Sequence, residues 1–272
     1  MTWKKYLSAL ILGACFLGSL QAQTYTVVHI SGQCSNFDTG KSLSIGETLQ
    51  PSATVDLGSV SGRMVLWEKK EGLILLAPRK TEQGKALTHG KFAELKQPLP
   101  TPREDKESFG SMEDLQKHFD GRRYLILDHS WLIPEPAFRL TGDTILFYKF
   151  QRPKANAQVN RKVEHRGDSL QLSAKLILDM NGKPVPADDA NSFELFWMDL
   201  KTKGYKKLAR FEFVFVDEAQ VAKEVGLLLS EVKKLDMDPS MQMSLVRQYL
   251  AAAYGDPDLH NLRQWLETNG LR

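Results

Sequence analysis

Asp128, His129, Asp143 and His165 are the residues whose types best suit acid–base chemistry in this chain. A carboxylate that orients an imidazole, which in turn activates a hydroxyl, is the logic of nucleophilic hydrolysis. These four are therefore the set to test for a hydrolase whose site is assembled from distant segments. The contiguous Asp128-His129-Ser130 is not itself that arrangement. Neighbouring side chains of a strand point to opposite faces, so His129 would turn away from both flanking groups.

Asp38-Thr39-Gly40 has the pattern with which aspartic proteases present a catalytic carboxylate. That chemistry needs two acids close enough to share one proton. Asp143-Thr144 and Asp168-Ser169 continue into Ile145 and Leu170 instead of Gly, so neither is a second copy. Gly40-Lys41-Ser42 ends like a phosphate-binding loop, but Ser35 stands where the first glycine of that loop is required. The stretch from Asn36 to Leu43 reads as a hairpin turn, a use that suits both Asp38 and Gly40.

No metal or cofactor is expected. The six histidines, at 29, 89, 118, 129, 165 and 260, include no pair at metal-binding helical spacing. Asp188-Asp189 lacks the Gly and Glu of a calcium loop. Arg166-Gly167-Asp168, an adhesion-type tripeptide, falls between strands where Gly and Asp make a turn. Met237, Met241 and Met243 fit either core filling or an adaptable groove for a partner.

The N-terminus gives the chain an address. Lys4 and Lys5 precede an uncharged, mostly apolar run from Tyr6 to Leu20, and Ala22 offers a small residue for cleavage. This is the pattern of a secretory signal peptide. The run falls short of the ~20 apolar residues of a membrane-spanning helix, so no transmembrane helix is expected in the mature chain. Leu12-Gly13-Ala14-Cys15 gives an alternative, with Cys15 lipidated and the chain a tethered envelope assembly factor. Loss of Lys4 and Lys5 takes the formal charge from +3 to +1. So weak a balance gives no footprint for nucleic acid. With Cys15 removed, Cys34 has no disulfide partner, and the fold must rest on its cores.

The elements that must position these groups are mainly β, with a helical end. Tyr25, Val27 and His29 alternate with Thr26, Val28 and Ile30. Short apolar runs near Val55, Met64–Trp67 and Leu73–Leu76 follow, with a tight turn at Glu71-Gly72. Thr81 to Gly110 contains Pro98, Pro100, Pro102 and a charge cluster, as a linker would. Ser111 caps a short helix. Strands are expected at Tyr124–Ile133, Thr144–Phe150, Ser169–Asp179, Phe193–Leu200 and Phe211–Val216, with a hairpin at Asn181-Gly182. Phe211, Phe213 and Phe215 share one face. Val221, Val225, Leu228 and Val232 fall on one helical face, and Asp238-Pro239 and Asp256-Pro257 open two further helices.

Leu43, Ile45-Gly46, Leu49, Ala53, Val55, Leu57, Met64, Leu66 and Gly72 together resemble the pattern of FecR-like periplasmic sensor domains, over Tyr25 to Pro78. The resemblance implies a small SH3-like β-barrel and a sensing role. Such proteins usually carry a cytoplasmic segment and a membrane span ahead of the sensor domain, whereas here it follows a signal peptide directly. The expected organisation is a signal peptide over residues 1–22, the small β-domain over 23–80, and a linker over 81–110. An antiparallel β-domain over 111–216 and a three-helix region over 217–272 complete it. The expected function is an exported, periplasmic, non-enzymatic interaction or envelope-sensing protein with an envelope protein as partner. Its contact surfaces would be strand edges and the helical tail.

Overall fold

Apolar residues on alternate positions pull the first strands into a sheet with two buried faces. This computed structural model describes residues 23–102, 111–127, 131–134, 143–166, 169–180 and 182–271. The signal peptide and Cys15 therefore lie outside the described residues. Strands β1 (Tyr25–Ser31), β5 (Arg63–Glu68) and β6 (Gly72–Leu76) form the centre of a five-stranded sheet. β3 (Thr48–Leu49) and β10 (Lys96–Gln97) are its edges, in the order β10–β6–β5–β1–β3.

Val27, Met64, Leu66, Ile74 and Leu76 face one core, which also takes Cys34, Leu43, Leu49, Val55 and Leu57. A second sheet of β2 (Ser35–Asn36), β4 (Thr54–Asp56) and β9 (His89–Lys91) accompanies these strands. Val28, Val65, Trp67, Leu73 and Leu75 face a different core, shared with the C-terminal helices. The sheets are open, which corrects the expected barrel. A small barrel turns its outer face to water, whereas here both faces of the sheet are apolar and covered.

The stretch expected to be a linker is built into this region as far as Gln97. β7 (Arg79–Lys80) and β8 (Ala86–Leu87) pair, and helix α1 (Phe92–Leu95) sinks Phe92 and Leu95 into the first core. Lys96 and Gln97 then pair with Leu76 and Leu75 of β6. Beyond them, Leu99 packs against the second core.

The larger sheet has six strands. β13 (Thr144–Arg152), β14 (Ala157–Lys162), β19 (Asn191–Asp199) and β20 (Tyr205–Phe215) are antiparallel, as expected. β11 (Arg122–Ile126) joins parallel to β20 and to β21 (Asp256–Pro257). The order is β14–β13–β19–β20–β11–β21. Phe211 and Phe213 are buried on one face, with Phe215 packed beside them. Helix α2 (Met112–Phe119) is capped by Ser111, whose Oγ accepts from the Asp114 N–H at 3.1 Å.

Two expected strands come out differently. The Tyr124–Ile133 run divides between β11 and β12 (Trp131–Pro134), which belong to separate sheets. β12 pairs with β16 (Ser169–Leu172), which also pairs with β15 (Glu164–Arg166). The Ser169–Asp179 run leaves the sheet at Ser173. There the hydroxyl accepts from the Leu176 N–H at 3.2 Å and starts helix α3 (Ala174–Leu178). β17 (Asp179–Met180) and β18 (Lys183–Pro184) form the expected hairpin, with Gly182 at φ +78°.

Helices α4 (Glu218–Lys233), α5 (Pro239–Ala253) and α6 (Leu259–Thr268) end the chain, each capped by an Asp: Asp217, Asp238 and Asp258. Val221, Val225, Leu228 and Val232 are fully buried. Each such side chain contributes about 1.5–3 kcal/mol, so the helices are part of the fold and not a detachable tail. β11 divides the two inner cores. Tyr124 and Ile126 face the larger sheet's core, and Leu125 faces the helices.

Candidate functional site

Of the residues singled out by type, Asp143 and His165 are described, and they belong to different elements. Asp128 and His129 lie outside the described residues. Asp143 precedes β13 and holds Lys201 at 2.6 Å, while His165 is exposed on β15 in another sheet. Asp38 sits in the expected hairpin turn. Asn36 Oδ1 accepts from the Asp38 and Thr39 N–H groups, Gly40 has φ +67°, and Ser35 bridges to Ser42. Asp188 and Asp189 are held by Lys154 and Arg152, and no group of metal ligands occurs among the described residues. Cys34 is more buried than expected, and burial, followed by the charge of Asp56, pushes its thiol up to about 11. That makes it inert at neutral pH.

What the fold does bring together is His29, Glu224, Tyr249 and Tyr254. Simple alternation would put His29 beside Val27 in the first core. A bulge between Val27 and His29 shifts the register: Val27 pairs with Leu66, whereas His29 pairs with Val65. The imidazole therefore points toward the helices, since a bulge re-aims the side chains that follow it. There it meets Glu224, which lies on the buried face of α4 between Val221 and Leu228.

Glu224 is fully buried and accepts four donors. They are His29 Nδ1 at 3.2 Å, Gln220 Nε2 at 2.9 Å, the Tyr254 hydroxyl at 2.5 Å and the Tyr249 hydroxyl. Burial alone would raise its pKa, but the hydrogen bonds from His29, Tyr249 and Tyr254 outweigh burial and hold it below the ordinary glutamate range. Burial and the same carboxylate push both phenols well above theirs. With Nδ1 held by Glu224, the other ring nitrogen of His29, Nε2, is buried and makes no hydrogen bond among the described residues. The Tyr254 ring meets the imidazole edge-on, with centroids 4.7 Å apart.

His29, Ser31, Gln220, Tyr254 and Arg123 line a cleft of about 300 Å³. Arg123 also lines two larger clefts, of about 660 Å³ and 530 Å³. The largest draws its walls from all three parts of the chain. Arg63 comes from β5, Pro98 and Pro100 from the extended segment, Arg122 and Arg123 from β11, and Gly255 from the end of α5. Arg123 is common to the walls of all three clefts, which are together called the trough.

Charge in this trough is unevenly matched. Arg123 Nε meets Glu212 at 3.0 Å. Arg63 is half-buried and has no carboxylate within ion-pair distance among the described residues. Burial, followed by the nearby positive charge of Arg123, lowers the pKa of Arg63, with Glu212 acting in the opposite sense. Asp256 in the wall is engaged by Arg247 at 3.5 Å, and Asp120 accepts from the Arg210 N–H at 3.0 Å. Chemically the trough offers guanidinium donors at its centre and a carboxylate-backed imidazole at one end.

One signal for this site was present in the sequence: Glu224 interrupts the apolar stripe Val221–Val225–Leu228, where a lone acid needs a buried partner. The convergence of Arg63 with Arg123 had no local signal, because the two belong to different sheets. Comparison with protein-family models, curated proteins and solved structures gives no significant match.

Proposed function

We propose that this chain is an exported, non-enzymatic interaction protein of the bacterial envelope, with a sensing role of the kind the FecR-like pattern implies. The trough is its binding surface. The observation that carries this reading is the placement of the cleft of about 660 Å³, whose walls come from all three parts of the chain and include Arg63 and Arg123. Ligand and partner sites favour such junctions, and arginine is the residue of choice for polar recognition there. Deleting the helices would uncover Val28, Val65 and Trp67, so point probes are the better test. A photo-crosslinking residue at Arg122, in exporting cells, is expected to give one adduct of defined mass. The same residue at Lys203, on a remote turn, is expected to give none. Equal labelling from both positions, or none from Arg122, overturns the reading.

The second reading is a hydrolase, and the His29–Glu224 pair beside Ser31 in one cleft favours it. In that chemistry His29 Nε2 takes the proton of the attacking hydroxyl. The first reading is preferred because Nε2 is buried and no hydroxyl is bonded to it. Turnover of short chromogenic esters that His29→Gln abolishes, in a variant that stays folded, would reverse the preference.

A further inference from the structure

We infer that the trough is an oxyanion site, in which Arg63 and Arg123 together take the phosphate or carboxylate group of a small ligand. This rests on reading the trough as the binding surface and names the chemistry recognised there. Arg63 opens β5 opposite Ser31, on the strand face that also carries Val65, and Arg123 shares its face of β11 with Leu125. Both faces look toward the helical core. The two arginines thus line one cleft from separate sheets, and the charge of Arg123 acts on Arg63.

Like charges held together cost free energy unless an anion joins them. Among the described residues, Glu212 is the carboxylate whose charge acts on both, and its ion pair is with Arg123. The other acids of the wall are already engaged, Asp256 by Arg247 and Asp120 by the Arg210 N–H. Arg63 is therefore left with its donors uncommitted to any carboxylate among the described residues. Planar guanidinium forks match the paired oxygens of phosphate and carboxylate groups.

The walls are stiff as well as charged. β5 lies between β1 and β6, and β11 between β20 and β21. At Gly255 a Cβ would stand 3.1 Å from the Arg123 carbonyl oxygen, so α5 ends tight against β11. Pro98 and Pro100 carry no N–H donor, so this part of the wall leaves the anion to the guanidiniums. A space of about 660 Å³ exceeds what a bare ion fills, which leaves room for the body of a small ligand.

Isothermal titration of the full chain with inorganic phosphate, and separately with succinate, tests this against sodium chloride at matched ionic strength. The expected result is saturable binding of at least one of the two oxyanions and none of chloride. Whichever binds more tightly identifies the group. Arg63→Gln is expected to weaken that binding tenfold or more. Arg63→Lys, which keeps the charge and loses the fork, should fall between. Lys203→Gln, on a turn outside all three clefts, should bind as wild type does. Indistinguishable phosphate, succinate and chloride titrations overturn the inference, as does an Arg63→Gln variant that is folded by circular dichroism and binds undiminished. A crosslink from position 122 without oxyanion binding sinks this inference and keeps the interaction reading. Oxyanion binding without a crosslink does the reverse.

Discussion

The cluster around Glu224 and the pair Arg63–Arg123 border the same trough and handle charge in opposite ways. In the cluster one carboxylate is surrounded by four donors on three helical or strand segments and sealed from water. In the pair, one of two cations holds a carboxylate among the described residues, and both line a cleft. A satisfied buried network rigidifies and specifies a packing arrangement. An unmatched, accessible one is a preference waiting for a ligand. The contrast separates the polar residues that dock the helices on the N-terminal sheet from those that face a partner.

Removing the carboxylate is the strongest way to break that contrast. Glu224→Ala leaves the His29 N–H and the Tyr249 hydroxyl buried without their acceptor, and takes the same acceptor from the half-buried Tyr254 and the exposed Gln220. The loss of stability should be about 3–5 kcal/mol, the range for breaking a buried pair. Urea denaturation measures it. A loss below about 1 kcal/mol would mean that the cluster does not hold the helices in place. Tyr249→Phe, which deletes one donor and leaves the carboxylate otherwise served, should cost about 1 kcal/mol.

Gly255 links the two regions, because it follows Tyr254 of the cluster and touches Arg123 of the trough. Its φ of +153° suits glycine, and a Cβ would meet the Arg123 carbonyl oxygen at 3.1 Å and its carbonyl carbon at 3.2 Å. Gly255→Val should cost about 1–3 kcal/mol, as residues forced into such backbone regions do. Thermal denaturation checks this. The same variant should weaken oxyanion binding, since the wall behind Arg123 moves with it.

Titration gives a smaller effect with a definite sign. The folded-state pKa of Glu224 is depressed, so its contribution is present above the unfolded value of about 4.3. It is lost as pH falls through the folded value. Tyr25 shows the opposite case. Burial, followed by the bond to Glu71, raises it to about 12, so its contribution is intact below ~10 and fades toward 12. Stability measured from pH 3 to 6 should fall on the acid side in the wild type and run flatter in Glu224→Gln. Parallel profiles would remove Glu224 as the source.

These elements were unequally legible in the sequence. The helices could be read because their caps and apolar stripe are local: Asp217, Asp238 and Asp258 accept from the N–H groups just after them. The hairpin at Asn36–Lys41 was legible for the same reason. His29 was not, because one bulge reverses the face on which it lies, and no residue of β1 announces it. Ser169–Asp179 misled because its apolar residues suit strand and short helix alike, and a single hydroxyl at Ser173 decided the outcome. Arg63 and Arg123 are sixty residues apart in the chain and meet only once both sheets stand, so their pairing is a property of topology.

The sharpest form of the contrast lies in the smallest expected effect. Arg63→Gln removes a charged group that is half-buried, yet it should change stability by no more than about 0.5 kcal/mol, as substitutions away from structural networks do. The aliphatic stem of Arg63 covers apolar surface, and its loss is unfavourable. Relief of the repulsion with Arg123 is favourable and offsets it. Only the second contribution is screened by salt, whose reach shrinks to about 3 Å at 1 M. The variant should therefore fare better relative to wild type at low salt than at high salt, in paired urea titrations. A loss above about 1.5 kcal/mol at low salt would give Arg63 the same structural role as Glu224, and the two regions would no longer differ in kind.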